Sequence, residues 1–274
     1  NRIQVQGLIL ADYPEAYSHW NARKSLSEWL QEHNIPGVAE IDTRQLTKKL
    51  REEGTLPGKI LYDDENIEFE DPNKRNLVAE VSVEGPIEYE RGEKRVIIVD
   101  CGVKNNIIRA FLRRNLSVVR CPWNYDFLNE KVDGIVISNG PGDPKKCEET
   151  IENLRRALSE SIPILGICLG SQILALAAGA DTYKLKYGHR SQNQPCVEVG
   201  TKRCYITPQN HGYAVDSDTL PQDWREWFYN NNDKTNEGII HISKPFFGTQ
   251  FHPEASPGPD DTEFLLDMFS RAMR

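Results

Sequence analysis

From residue 95 onward, short apolar runs alternate with stretches of helical periodicity. The runs are RVIIVD, LSVVRCPW, DGIVISNG and IPILGIC, at 95–100, 116–123, 133–140 and 162–168. Segments such as NNIIRAFLRRN, at 105–115, lie between them and carry apolar residues three or four apart. Continuous β-branched runs that alternate with helices are typical of a parallel sheet covered on both faces. The pattern therefore predicts an α/β fold with a mostly parallel, doubly wound sheet.

After residue 180 the apolar positions alternate along short stretches, which predicts hairpin-like strands and one last helix. The predicted strands are CVEVG, RCYITPQ, EGIIHI and FFGTQFH, at 196–200, 203–209, 237–242 and 246–252. The last helix is DTEFLLDMFSRAM at 261–273. The sequence shows no internal repeat and no low-complexity tract.

The N-terminal part predicts two short amphipathic helices. Ser25–Glu28 and Asp42–Gln45 fit capping boxes, in which the side chains at the two ends satisfy each other's exposed amides. Apolar residues follow at helical spacing, and we expect the two units to end at Gly37 and Gly54.

A polar stretch separates the two parts of the chain. Residues 60–91 are rich in Asp, Glu and Pro, which predicts loops with short strands, and EGPIEYERGEK at 84–94 predicts a linker. The predicted domains are therefore a smaller one at 1–91 and a larger one at 94–274.

Composition and charge exclude several classes of protein. The 274 residues are 38% hydrophobic and 27% charged, which is a globular balance. The net charge is −8 and no dense Lys/Arg run is present, so we expect no nucleic-acid partner. No apolar run reaches the ~18–20 residues that cross a bilayer, and the N-terminus has no secretory signal, so we expect no membrane partner.

Six cysteines are spread along the chain, and none forms a C-x-x-C pair. This disfavours a zinc or redox site of that type, and we expect no metal. The density is low for a disulfide scaffold, which favours reduced thiols in the cytoplasm or, alternatively, the mitochondrial matrix.

The strongest chemical signal is the segment GICLGSQ at 166–172. An apolar strand runs into Gly-x-Cys-x-Gly and a helix begins at once, which is the cysteine form of a nucleophile elbow. The thiol of Cys168 then sits at a helix N-terminus, which favours a thiolate. The amide of Leu169 is placed for an oxyanion hole, and Gln172 lies one turn above Cys168. The alternative is a buried core cysteine.

A second signal is the segment FHPE at 251–254. FFGTQF alternates as a strand does, and residues two apart in an extended segment point to the same face. Glu254 is therefore expected to reach one imidazole nitrogen of His252 and to fix its tautomer, as in a catalytic triad. The alternative is a solvated His-Pro turn.

Two further segments are predicted to be loops of the site. SNGPGDP at 138–144 offers backbone amides that can bind a carboxylate or an oxyanion. QNHGY at 209–213 carries amide and aromatic side chains, and its His211 is a possible rival base, although no carboxylate stands at a matching offset. The other histidines are expected to be surface or packing residues, namely His19, His33, His189 and His241.

GICLGSQ, SNGPGDP and FHPE together resemble the three signature blocks of class I (triad) glutamine amidotransferases. The whole chain resembles more closely the small subunit, or glutaminase region, of carbamoyl-phosphate synthetase. Residues 41–52 are similar to the N-terminal domain of that family, and the segments that follow its amidotransferase domain are DCGVKNNIIR, YGHRSQNQP, QNHGYAVD and FHPEASPGP.

This resemblance implies a class I amidotransferase-like fold with a smaller, truncated N-terminal domain. It implies a nucleophile at Cys168, a general base at His252 and an orienting carboxylate at Glu254. The contacts to glutamine that it implies are Gly140, Gly142, Leu169, Gln172, Asn210, Gly212 and Tyr213.

Two departures from the family pattern stand out. Ser171 occupies a position that is usually His, and we expect Ser171→His to change hydrolysis by no more than about tenfold. The chain also begins late, so the first part of the family's N-terminal domain, including a serine that contacts glutamine, is expected to be missing.

The expected function is hydrolysis of glutamine to glutamate and ammonia, which passes to a synthetase large subunit or fused synthetase domains to form carbamoyl phosphate. No cofactor is expected in this chain, because ATP and bicarbonate belong to the partner. The alternatives are another triad amidotransferase and a degenerate glutaminase-like regulatory or interface module. Retention of Cys168, His252 and Glu254 argues against the second, since the relatives that use free ammonia lack the cysteine.

Overall fold

The computed structural model describes residues 3–62 and 67–273 and divides into two compact units, Asn1–Asp71 and Pro72–Arg274. The division falls before the predicted end of the first domain at residue 91, because residues that follow Asp71 join the second unit. Residues 63–66, part of the predicted polar stretch, lie outside the described residues.

Among its described residues, the first unit has two parallel strands and two helices. These are β1 (Leu8–Ile9), α1 (Leu26–Glu32), β2 (Gly37–Val38) and α2 (Thr43–Glu53). The predicted capping box at Ser25 is confirmed, because Ser25 accepts from the backbone of Glu28 while the Glu28 carboxylate accepts from the backbone of Ser25. Asp42 caps α2 and Gly54 ends it, as expected. Gly37 was expected to end the first helical unit, but α1 ends at Glu32 and Gly37 begins β2.

The second unit is one ten-stranded sheet with helices on both faces. Its elements up to the middle of the unit are α3 (Leu77–Val81), β3 (Ile87–Tyr89), β4 (Arg95–Asp100), α4 (Asn105–Arg113), β5 (Ser117–Pro122), β6 (Gly134–Ile137), α5 (Glu148–Ala157), β7 (Ile164–Ile167) and α6 (Leu169–Ala178). The others are β8 (Asp181–Glu198), β9 (Cys204–Asp216), β10 (Trp224–Asn230), β11 (Asn236–His241), β12 (Phe246–Thr249) and α7 (Phe264–Ala272).

The strand order is β3-β5-β4-β6-β7-β12-β11-β10-β8-β9, and the five strands from β5 to β12 run parallel. Alternate residues of β4 face opposite sides, so that Val96 and Ile98 pack with α4 and α7 while Ile97 and Val99 pack with α5 and α6. Every residue of β6 and β7 is buried, which explains their unbroken apolar runs. The α/β, doubly wound prediction is confirmed for this part of the sheet.

The other strand pairs in the sheet are antiparallel. The strands in these pairs differ most from those that the sequence predicted. The predicted linker at 84–94 contains β3, which pairs with β5 at the edge of the sheet. β10 was not predicted, and β8 begins at Asp181 rather than near Cys196. QNHGY, predicted as a loop, lies inside β9. Most residues of β8 are exposed or half-buried, so they lack the apolar run that marks a strand.

The parallel register sets the position of the site. β7 lies between β6 and β12, with Ile137 paired to Gly166 and Ile167 paired to Thr249. The segments that leave these three strands therefore emerge at the same edge, where ligands bind in open α/β sheets. None of the helices in the described ranges is long and apolar enough to span a membrane.

Candidate active site

A sharp turn between β7 and α6 carries Cys168. Its backbone has φ 54° and ψ −106°, a left-handed conformation that side-chain-bearing residues rarely adopt. A Cβ on Gly166 would lie 2.5 Å from the carbonyl oxygen of Gly170, and a Cβ on Gly170 would lie 2.0 Å from that of Ile137. Only glycine fits at either position, which is the physical reason for the Gly-x-Cys-x-Gly pattern.

Cys168 is held from both sides of the turn. Its backbone N–H donates to the carbonyl of Thr249 at 2.7 Å, which ties the turn to the end of β12. The amide of Gln250 approaches its Sγ at 3.6 Å, and the residue is 4% exposed. The amides of Ser171 and Gln172 donate to the Cys168 carbonyl. Leu169 begins α6, where backbone N–H groups have no acceptor within the helix.

His252 and Glu254 form a buried pair beside this turn. The Nδ1 atom of His252 lies 2.7 Å from Oε1 of Glu254, and the two residues are 8% and 3% exposed. The solvated-turn alternative is therefore wrong, because both side chains are buried. The backbone is nevertheless a turn rather than the extended segment expected, since the amide of Ala255 donates to the carbonyl of His252.

Two further side chains, which were not among the predicted site residues, surround Glu254. Lys104 places Nζ 2.9 Å from Oε1 of Glu254 and also donates to the carbonyl of Ala255. Asn106 donates to the backbone carbonyl of Glu254. Both follow β4, whose carboxyl end lies at the same sheet edge as the ends of β6 and β7. Their position just after a strand that ends at this edge was the signal from which the sequence could have indicated them.

The charges in the site favour an imidazolium. Burial lowers the pKa of His252, but the negative charges of Glu254 and Cys168 and hydrogen bonds to both outweigh it and raise the pKa to about 10. Burial raises the pKa of Glu254, but the positive charges of His252 and Lys104 hold it below its usual value. At neutral pH the structure therefore favours a protonated His252 paired with the Glu254 carboxylate.

The loop after β6 packs closely on the turn. A Cβ on Gly140 would lie 2.0 Å from the carbonyl oxygen of Cys101 and 2.8 Å from the Leu169 side chain. Gly142 has φ +90°, a conformation that favours glycine. Gly140 is thereby brought against Leu169, whereas Gly142 lies next to the side chain of Leu77.

A chain of amides joins the turn to β9. Gln172 donates through Nε2 to Oε1 of Gln250 and to the carbonyl oxygen of Tyr213, both at 2.8 Å. Gly212 and Tyr213 are half-buried, whereas Asn210 is exposed and paired with Arg190 of β8. The structure thus links Gln172 and Tyr213 to the turn directly, and places Asn210 farther along the same strand.

His189 and His211 lie together in a buried cluster. The burial of His189 agrees with the packing alternative, and its Nδ1 lies 3.1 Å from Nε2 of His211 and 3.2 Å from Oε1 of Glu237. No carboxylate stands at a matching sequence offset from His211, but the fold brings Oε1 of Glu237 to 3.9 Å from its Nε2. Within the described ranges, these three residues group donor atoms closely enough to hold a metal ion.

Comparison with family profiles gives two matches. The profile described as "Glutamine amidotransferase class-I" matches residues 97–272. The profile described as "Carbamoyl-phosphate synthase small chain, CPSase domain" matches residues 1–60.

Three curated relatives are each 50% identical to the chain. They are Multifunctional protein pyr1-3 of Dictyostelium discoideum, Multifunctional protein CAD of Squalus acanthias, and Carbamoyl-phosphate synthase [ammonia], mitochondrial, of Homo sapiens. The alignments cover 98%, 100% and 98% of this chain but only 13%, 12% and 18% of those proteins. The chain therefore spans less than a fifth of the length of these relatives.

Solved structures share the fold at low identity. A protein from Thermoplasma acidophilum, described as part of a GMP synthase, matches with a TM-score of 0.57 and 21% identity, over 65% of this chain and 94% of that chain. A glutamine amidotransferase from Thermotoga maritima matches with a TM-score of 0.50 and 20% identity, over 66% and 86%. At these identities the matches show the fold alone.

Proposed function

The chain belongs to the class I glutamine amidotransferase family, and we propose that it hydrolyses glutamine to glutamate and ammonia through Cys168, His252 and Glu254. The observation that best supports this proposal is the buried arrangement of the three side chains. A strained turn presents the thiol, a protonated imidazole lies beside it, and a carboxylate 2.7 Å from Nδ1 orients that imidazole.

In the first step the Cys168 thiolate attacks the carbonyl carbon of the glutamine side-chain amide, and a tetrahedral oxyanion forms. The backbone amide of Leu169, which follows Cys168 and begins α6, is the donor that we propose for that oxygen. The close packing of Gly140 on Leu169 brings the loop after β6 to the same position. Preorganised amides of this kind cost no reorganisation when the charge develops.

In the second step the tetrahedral intermediate collapses. The carbon–nitrogen bond breaks, His252 gives its Nε2 proton to the departing nitrogen, and ammonia and a glutamyl thioester result. The neutral imidazole then accepts a proton from water, whose oxygen attacks the thioester, and glutamate leaves as the thiolate is restored. Glu254 holds Nδ1 throughout, so that Nε2 carries out both transfers.

Recognition of the α-amino and α-carboxylate groups of glutamine falls to residues around the turn. Gln172 donates to the carbonyl oxygen of Tyr213, and this hydrogen bond holds the β9 segment next to the turn. The remaining contacts that we propose are Gly140, Gly142, Asn210, Gly212 and Tyr213. None of these contacts requires a cofactor, and we propose that glutamine hydrolysis by this chain uses none.

The partner that we propose is a carbamoyl-phosphate synthetase, either a separate large subunit or fused domains, which receives the ammonia. The match of residues 1–60 to a synthase small-chain profile supports this partner, as do the names of the relatives. ATP and bicarbonate would be consumed by that partner. The relatives include a mitochondrial protein, so the proposed location is the cytoplasm or the mitochondrial matrix.

The proposal is tested by Cys168→Ser. This variant is expected to lose glutamate release from glutamine, while ammonia-dependent synthesis by the partner stays intact. An electrophilic glutamine analogue is expected to label a single cysteine, and Cys204→Ser is the matched control because Cys204 is the exposed thiol. Labelling of Cys101 or Cys204 in place of Cys168, located by mass spectrometry, would contradict the assignment.

A second candidate function is that of a regulatory or interface module without glutaminase activity. One observation favours it: a relative with 50% identity is named for ammonia as its nitrogen source. Overall similarity therefore does not separate the two functions, and the buried triad argues for the enzyme. If the unmodified chain releases no glutamate while its partner still carries out ammonia-dependent synthesis, the result would support the module instead.

A further inference from the structure

A second cluster of polar side chains lies inside the antiparallel part of the sheet, outside the proposed triad. His189 on β8, Gln209 and His211 on β9, and Glu237 on β11 are 0–7% exposed. Asp233, in the turn between β10 and β11, adds a second carboxylate at the margin of the cluster.

The hydrogen bonds in this cluster leave many acceptors around one point. Nδ1 of His211 lies 2.8 Å from the carbonyl oxygen of Tyr213, so Nδ1 carries the proton and Nε2 presents a lone pair. The amide nitrogen of Gln209 donates to Cys196 and Thr207, so its Oε1 points to the histidines. Glu237 contributes Oε1 to the same point, and its Oε2 is buried without a hydrogen-bond partner.

We propose that His189, Gln209, His211 and Glu237 bind one divalent transition-metal ion, and that zinc fits best. The five measured distances among Nδ1 of His189, Nε2 of His211 and the two oxygens run from 2.9 to 3.9 Å. Ligands about 2.0–2.1 Å from a tetrahedral zinc ion stand about 3.3 Å apart, within this range.

The surroundings of the two imidazoles match those of metal ligands. Nε2 of His189 lies 2.8 Å from Oδ2 of Asp233, and Nδ1 of His211 donates to a backbone carbonyl. Histidines that bind metals nearly always donate their other ring N–H to a carboxylate or a carbonyl in this way. The metal-facing nitrogens are therefore Nδ1 of His189 and Nε2 of His211.

The cluster also brings acidic side chains to this point. The carboxylate of Glu237 lies 3.2 Å from Nδ1 of His189, and the carboxylate of Asp233 stands at the margin of the cluster, 2.8 Å from Nε2 of the same imidazole.

All four tetrahedral positions are filled by protein atoms, which is the pattern of a structural rather than a catalytic zinc site. The ion would join β9 to β11, which are not neighbours in the sheet. The backbone of Gln250 donates to the carbonyl of Glu237, so the same ion would brace the segment that leads to His252. This structural role goes beyond glutamine hydrolysis, and the experiment that tests it does not depend on glutaminase activity.

The experiment loads the chelator-stripped chain with zinc and measures bound metal, affinity and the zinc X-ray absorption spectrum. We expect one zinc per chain with a nitrogen and oxygen shell at about 2.0–2.1 Å. A sulfur shell at about 2.3 Å, or less than one tightly bound zinc per chain, overturns the proposal, because it assigns the metal to cysteines or to no site.

Three variants locate the site. Glu237→Gln is nearly isosteric and is expected to weaken zinc binding at least tenfold, since it replaces an anionic ligand. Asp233→Asn leaves the ligands in place and is expected to weaken binding about 10–100-fold through His189. His241→Gln is the control, because His241 pairs with Asp223 outside the cluster. Equal zinc affinity in all three overturns the proposal, whatever their glutaminase activity.

Discussion

Ser171 offers a sharp test of how packing at the turn determines stability. The residue is 1% exposed, and its Oγ is buried without a hydrogen-bond partner. It packs against the backbone of β12, where a Cβ on Gly248 would lie only 2.5 Å from the Oγ of Ser171 and 3.0 Å from its Cα. The hydroxyl therefore lost its hydrogen bonds to water on folding and gained none in return.

The magnitude of Ser171→Ala follows from that imbalance. A buried polar group without a partner costs about 1–3 kcal/mol, and alanine is also the better helix former by a few tenths of a kcal/mol. Removing one oxygen atom leaves a small void, which offsets part of the gain. We expect the variant to be more stable by about 1 kcal/mol, with kcat/KM for glutamine unchanged.

The matched comparison is Ser138→Ala at the end of β6. Ser138 is equally buried, but its Oγ accepts from the amide of Cys101 and donates to the carbonyl of Asn139. Each such bond contributes about 0.5–1.5 kcal/mol, so this variant is expected to be less stable by about 1–3 kcal/mol. The same chemical change therefore has opposite signs at two buried serines.

Differential scanning calorimetry of the unmodified chain, Ser171→Ala and Ser138→Ala measures these changes in stability. A change of 1 kcal/mol moves Tm by roughly 2–4 °C in a domain of this size, upward for Ser171→Ala and downward for Ser138→Ala. A lower Tm for Ser171→Ala refutes the reasoning, because the hydroxyl would then have a partner. Loss of activity at unchanged Tm would give it a catalytic role.

The same packing revises the expectation for Ser171→His. The family pattern allowed an imidazole at this position with at most a tenfold effect on hydrolysis. Ser171 leaves no room on the side of Gly248, and overpacking a core costs typically about 1–3 kcal/mol. We now expect this variant to lose stability first.

Three further predictions concern the triad and use steady-state glutamate release or denaturant unfolding. His252→Asn is expected to lower kcat by a factor of about 10²–10⁴, because both proton transfers are lost, and a larger loss in His211→Asn would contradict the assignment. Lys104→Met removes one cation from Glu254, so we expect the pKa of Glu254 to rise and kcat to fall by about tenfold, or 1.4 kcal/mol. The raised pKa of His252, about 10, gives stability that is complete below pH 6.5 and is lost as pH rises toward 10, by up to about 1.4 kcal/mol per pH unit. His252→Asn is expected to flatten that loss.

The parallel part of the sheet could be predicted because burial on both faces leaves a mark in the sequence. β6, β7 and the four middle residues of β4 are fully buried, and these residues are apolar without interruption. The turn at Cys168 could be predicted for a related reason, since the close backbone contacts at Gly166 and Gly170 admit no other residue. In both cases one local constraint determines the residue type.

The antiparallel part could not be predicted in the same way. β8 has a register shift between Lys184 and His189, and most of its residues are at least partly exposed, so it needs no regular alternation. His189 and Glu237 are 48 residues apart in the chain, and only the pairing of β8 with β10 and of β10 with β11 brings them together. A search for local offsets around His211 therefore missed its carboxylate.

The His252–Glu254 contact was predicted correctly from a conformation that the chain does not adopt. A spacing of two residues places side chains together in an extended strand, but it also does so across a tight turn, which is what the Ala255–His252 hydrogen bond closes. Spacing alone does not distinguish these conformations. The turn has a consequence that a strand lacks, because it directs the Glu254 backbone carbonyl to Asn106 and the Ala255 carbonyl to Lys104.

Gln250 shows why residues that support a site are harder to predict than residues that react. It carries out no chemistry, so no motif marks it, yet its side chain joins the Cys168 sulfur to Gln172. Its backbone N–H donates to Glu237, which places it between the triad and the histidine cluster. Because one buried side chain satisfies both neighbours, a shorter residue at position 250 leaves the Gln172 amide short of an acceptor and frees the thiol at the same time. A hydrogen bond between two side chains 78 residues apart thus orients the amide that approaches the nucleophile.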